Sequence, residues 1–110
     1  MSAALDKLSK LRYILFMLKF SDIKSSVKQI APLYEIKKVS LFGSYADGTQ
    51  TENSDIDLLV EFHDPSVSIF KLAGIKIKLQ ELMGKSVDVI HSPIPADALI
   101  EIGKEVAIYG

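Results

Sequence analysis

The break at Gly43-Ser44, set between two strand-like runs, constrains this chain more than any other feature. Val39-Ser40-Leu41-Phe42 is short and apolar, built from residues that suit a pleated, half-buried strand. Gly43-Ser44 ends it, and a polar, turn-rich segment runs on to Ser54. From Asp55 a second strand pattern begins, with polar Asp55 and Asp57 alternating with apolar Ile56, Leu58 and Val60. Side chains along a strand point alternately to opposite faces. The spacing therefore puts both carboxylates on one face and the apolar trio on the other, toward a core.

Two carboxylates side by side, with no Lys or Arg beside them in sequence, repel each other and resist desolvation. A divalent cation relieves that repulsion, and Mg²⁺ is commonly held by one or two carboxylates together with substrate phosphates. The bland account, two solvated acids on an edge strand, would win for a lone Asp-x-Asp. Gly43-Ser44 shifts the balance, because glycine lets backbone approach a ligand and successive turn amides can cradle an anion. The Ser44 hydroxyl adds a donor for phosphate oxygens. Phosphate cradle, ten-residue loop and paired acids together make a nucleotide site in miniature.

The remaining elements follow from periodicity. Leu5, Leu8, Leu11, Leu15 and Leu18 predict a helix over 3–19 capped by Ser2, and its apolar residues from Tyr13 to Leu18 run all the way round. Such a helix calls for cover, from the domain's own sheet, an oligomer or a partner. Ser21-Asp22 reads as the cap of a second helix carrying Ile23, Val27, Ile30, Ala31 and Tyr34, with Pro32 ending or kinking it. Asp64-Pro65 reads as the opening of a third. Ile69, Leu72, Ala73, Leu79, Leu82 and Met83 form its stripe and Gly84 its C-terminal stop, although Ile75-Lys76-Ile77-Lys78 alternates like a strand. Ser86-Val87-Asp88-Val89-Ile90 predicts a third strand, Ser92-Pro93-Ile94-Pro95 a rigid turn, 96–104 a last helix and Val106–Tyr109 a short closing strand.

With 110 residues the expectation is one domain, residues 1–110, in which 1–20 is an N-terminal helical extension. Apolar (48%) and charged (25%) contents are those of a globular protein rather than a disordered chain. A net charge of −1 and a single arginine, Arg12, argue against a nucleic-acid polymer as partner. Without cysteine there are no disulfides, thiolate metal sites or thiol nucleophiles, and a cytoplasmic location fits. Leu11–Phe20 is apolar but carries Arg12 and Lys19 and is too short to span a bilayer, so no membrane role is expected.

Other chemistries fail on their own requirements. After Gly48 comes Thr49-Gln50, not the Lys-Ser/Thr of a Walker-type loop. After Asp57 come Leu58, Leu59 and Val60, where a calcium loop needs polar ligands and glycine. His63 lies roughly 20 Å beyond Asp57 along an extended strand, and His91 has the opposite parity to Asp88, so neither is expected as a ligand. Ser44 has no base positioned by the sequence.

Gly43-Ser44, ten residues, then Asp55-Ile56-Asp57 resembles the signature of the minimal nucleotidyltransferases, within the DNA polymerase beta-like superfamily. Leu41-Phe42 before it, Ala46 and Gly48 within it and Ser54 before the first acid agree. The resemblance implies a small α/β (α+β) domain, a mixed sheet of three main strands with helices packed on one side. It makes Asp88 the third acid, alongside Asp55 and Asp57, in catalysis and metal binding, where a bland reading would leave it on the solvent side of an edge strand. It implies two Mg²⁺ ions on these acids, Gly43 and Ser44 gripping the phosphates, and ATP or another triphosphate as donor. Larger relatives carry a helical acceptor domain, and none is expected within these 110 residues. A partner is therefore implied as acceptor: a helical HEPN-type toxin, adenylylated on a hydroxyl by its antitoxin. Asp47 stands where the family usually has Arg, which favours the alternative of a module that neutralises a partner by contact alone. A small-molecule nucleotidyltransferase, its site shared across a homo-oligomer, is the third reading.

Overall fold

The computed structural model describes residues 3–51, 53–94 and 103–110, and side-chain surroundings for all of these except 3–6, 9 and 12–18. Its elements in order are α1 (Ala3–Ile30), β1 (Ile36–Phe42), α2 (Ser44–Asp47), β2 (Ile56–Phe62), α3 (Ile69–Met83), β3 (Val87–His91) and β4 (Val106–Tyr109). The strands form one sheet in the order β3-β2-β1-β4. β1 is antiparallel to both β2 and β4, and β2 is parallel to β3. The α/β class and mixed sheet are as expected, with β4 a fourth full member.

The core lies between this sheet and the helices. Ile23, Val27 and Ile30 of α1 and Ile75 and Leu79 of α3 recur at helical spacing and are buried with Val39, Leu41, Ile56, Leu58, Val60 and Val87. Each large apolar side chain removed from water contributes about 1.5–3 kcal/mol, so this cluster fixes the positions of β1 and β2.

Three helix boundaries differ from expectation. α1 is one 28-residue helix, and Ser21-Asp22 starts no second one. Both side chains are exposed on its surface. With no Gly or Pro near them, these good caps stay within the helix at a cost of only a few tenths of a kcal/mol per residue. Of the leucine stripe, Leu8 and Leu11 are 56% and 52% exposed, while Leu5, Leu15 and Leu18 lie outside the described side chains. The helix does end before Pro32, which enters a 3-10 turn, Ala31–Tyr34, closed by Glu35 in the left-handed region.

α3 begins later than Asp64-Pro65. Ser68 is its cap, the hydroxyl accepting from the Lys71 amide at 3.1 Å. Asp64 instead accepts from the Ser66 amide at 2.9 Å in a turn of its own. Ile75-Lys76-Ile77-Lys78 is helical, and Gly84 (φ 63°) terminates the helix as expected. The buried pair is Ile75 and Leu79, whereas Ile69 is 75% and Leu82 44% exposed. Residues 103–105 are not helical, and the rest of the predicted last helix lies outside the described residues. Among the described residues no helix is long and apolar enough to cross a membrane.

Candidate nucleotide and metal site

β2 alternates as its sequence demands. Ile56, Leu58, Val60 and Phe62 are buried, while Asp57, Leu59 and Glu61 on the opposite face are partly open. Strand register then brings together residues that are remote in sequence. Phe42 of β1 pairs with Asp57, and Asp57 pairs with Asp88 of β3. Cross-strand partners share a face, so the second and third acids stand side by side.

Gly43 closes this site from the β1 end. Its backbone (φ 71°, ψ −151°) lies in a region open essentially to glycine alone. A Cβ there would collide with Asp57 Oδ2. The sequence therefore needs glycine at this position twice, for conformation and for the approach to the carboxylate. Immediately after it, Ser44–Asp47 forms the helical turn α2, seated by buried Tyr45 and Ala46. The Gly43 carbonyl accepts from the Ala46 and Asp47 amides. As at any helix start, the amides before these have no acceptor within the helix.

The electrostatics record the crowding of acids. Burial raises the Asp57 carboxyl above its ordinary value, and the charges of Asp88 and then Asp55, with a hydrogen bond to Asp88, push it further in the same direction. Asp55 precedes β2 and is exposed, so it acts on Asp57 through its field rather than as an equal member of the pair. Among the described residues no three acids or histidines stand close enough to hold a metal by themselves. The Asp57–Asp88 pair nevertheless fits Mg²⁺ chemistry, in which one or two carboxylates supply hard oxygen ligands and substrate phosphates complete the shell.

Two features were not signalled by sequence spacing. Lys76 of α3 places Nζ 3.6 Å from Asp88 Oδ1. One turn later, Gln80 Oε1 accepts from the Val87 amide at 3.2 Å. The i, i+4 relation of Lys76 and Gln80 was visible, but only the β2–β3 pairing gives it a target. Asp47 faces its own turn: Oδ1 accepts from the Thr49 hydroxyl (2.6 Å) and amide (3.0 Å), and these bonds, hydroxyl first, hold its carboxyl below the ordinary range. His91 packs edge-on against Phe62, with centroids 5.5 Å apart, and His63 is exposed.

Comparison with known proteins identifies the relatives of this chain. The nucleotidyltransferase domain family matches residues 20–108. A Methanocaldococcus jannaschii protein named "Putative protein adenylyltransferase MJ0435" is 41% identical over 73 residues, covering 66% of this chain and 77% of that protein. The "Protein adenylyltransferase MntA" of Thermococcus cleftensis is 31% identical over 78 residues, covering 67% and 78%. Among solved structures, a toxin–antitoxin crystal structure with AMP-PNP has a similar fold (TM-score 0.67, 23% identity, covering 79% of this chain and 73% of that one). So does a complex of tri-AMPylated Shewanella oneidensis HEPN toxin with MNT antitoxin (TM-score 0.60, 20% identity, 86% and 72%). The chain belongs to the nucleotidyltransferase domain family and, within it, to the minimal nucleotidyltransferases.

Proposed function

We propose that this protein transfers AMP from ATP to a hydroxyl of a HEPN-type partner and so acts as its antitoxin. The observation that carries the reading is that position 43 leaves room only for a glycine beside the Asp57 carboxylate, with Asp57 itself paired to Asp88 across β2 and β3. The names of the relatives, protein adenylyltransferases, and the toxin–antitoxin assemblies that share the fold support the substrate class and the partner.

Gly43 and Ser44 bind the β- and γ-phosphates through turn amides and hydroxyl. Asp57 and Asp88, with Asp55 close by, would hold Mg²⁺, two ions in the full complex. Bound there, Mg²⁺ supplies charge neutralisation for the attacking and departing oxygens. The acceptor oxygen forms a bond to the α-phosphorus as the α–β bridging P–O bond breaks and pyrophosphate leaves. Asp88, at the open edge strand, takes the proton of the attacking hydroxyl. Asp57, the more enclosed acid, keeps its geometry fixed by the Gly43 backbone on one side and β3 on the other.

The test is incubation with α-labelled ATP, Mg²⁺ and the HEPN-type partner. Label on the partner, lost with Asp57→Asn, is expected. Equal labelling by wild type and Asp57→Asn, or none from either, overturns the reading. Asp47 favours a second reading, neutralisation by contact alone, because its acidic side chain stands at the phosphate loop and is engaged with Thr49. Calorimetry separates the two, since a contact module binds its partner without ATP or Mg²⁺ and leaves it unmodified.

A further inference from the structure

The third acid of the site has a cation beside it. Lys76 and Gln80, one turn apart on α3, both reach the start of β3. Gln80 accepts from the Val87 amide, and Val87 precedes Asp88 on this edge strand. Lys76 lies 3.6 Å from Asp88 Oδ1, with both side chains about half exposed (45% and 49%). Helix α3 thus fixes the backbone beside the third acid with one side chain and neutralises its carboxylate with the other.

We propose that Lys76 is an internal counter-ion for Asp88 that competes with a divalent cation, so the protein alone holds such a cation weakly and takes it up efficiently only with a triphosphate. The inference rests on the nucleotidyl-transfer reading and names how metal entry to that site is controlled. Two observations and one chemical consequence carry it. The ammonium engages Oδ1 of Asp88, one of the few oxygens that a cation shared with Asp57 would need. Among the described residues no set of three ligands forms a cage, so the protein alone offers too few oxygens to displace the ammonium at little cost. A triphosphate supplies the missing oxygens and gives the released ammonium an anionic partner. Without Lys76 the Asp57–Asp88 pair would repel unrelieved and draw in a metal ion unaided.

The test measures Mn²⁺ uptake by electron paramagnetic resonance of the free ion, with and without ATP, for wild type, Lys76→Met, Lys76→Arg and Asp57→Asn. Methionine keeps the apolar stem, and the half-exposed position tolerates the change. Without ATP, Lys76→Met should bind Mn²⁺ about fivefold more tightly than wild type, near the upper limit for a part-exposed ion pair. Lys76→Arg should match wild type, and with ATP the gain should disappear. Unchanged or weaker binding by Lys76→Met, while wild type binds and Asp57→Asn does not, overturns the role of Lys76 and leaves the site standing. No Mn²⁺ uptake by wild type, even with ATP, overturns both.

Discussion

Ile56, Leu58, Val60 and Phe62 are no more than 5% exposed, whereas Asp57, Leu59 and Glu61, each one residue away, keep part of their surface open. One strand carries both sets because its side chains alternate, and the two faces do opposite work. The apolar face holds β2 against α1 and α3 through well-packed contacts. The other face tolerates what a core would not, two carboxylates brought together and partly desolvated. Rigidity on one side is what lets mutual repulsion persist on the other without the strand moving away.

Substitutions on the two faces should therefore separate activity from stability. The largest effect is expected from Asp57→Asn, with transfer activity falling by more than about 100-fold, beyond what loss of an outer-sphere metal partner costs, and the fold retained by circular dichroism. Leu58→Ala, one residue away, should do the reverse. It should cost about 3 kcal/mol in denaturant unfolding while activity per folded molecule stays within about twofold, since it touches no substrate. If both substitutions lowered activity and stability together, the division between faces would be wrong.

Gly43→Ala joins the two faces' problems. Its strained backbone should cost about 1–3 kcal/mol, and its methyl would displace the Asp57 carboxylate, so stability and Mg-ATP binding should fall together, read by melting and calorimetry. A smaller effect concerns pH. Folding raises the Asp57 carboxyl, so its contribution to stability is fully present below the ordinary value of 3.8 and is lost as pH rises through the raised folded value. In metal-free buffer Asp57→Asn should melt higher than wild type at neutral pH, and the gap should close below the ordinary value. A gap that stayed constant with pH would assign the effect to packing. Smallest of all, Glu61→Gln removes the exposed pair with Lys37 (3.8 Å) and should change stability by less than about 0.5 kcal/mol.

The sequence made the local half of this legible. The alternation of Asp55 to Val60, the glycine at position 43 and the helical spacing of Ile23, Val27 and Ile30 each follow from periodicity within a few residues. Much of what escaped was decided at a distance. Ser21-Asp22 is a competent cap, but with no Gly or Pro to break it the helix already running continued through, at the small cost of two polar residues in its interior. Asp64 was taken by a turn of its own with Ser66, and Ser68, which the sequence reading did not single out, caps α3. The registry of Asp57 with Asp88 depends on a parallel pairing across the whole of α3, and residue spacing carries no record of it. Lys76 was hidden for the same reason: as one of several lysines on α3, only the strand beyond it marks it out.

The account stands on Asp57 and Asp88 sharing a metal ion beside the Gly43 backbone once nucleotide is bound. Crystals grown with Mn²⁺ and a non-hydrolysable ATP analogue, measured at the manganese absorption edge, address this without recourse to activity. An anomalous peak is expected about 2.1 Å from oxygens of both aspartates, with the triphosphate lying along Gly43-Ser44. A peak elsewhere, or nucleotide bound away from that turn, would contradict it.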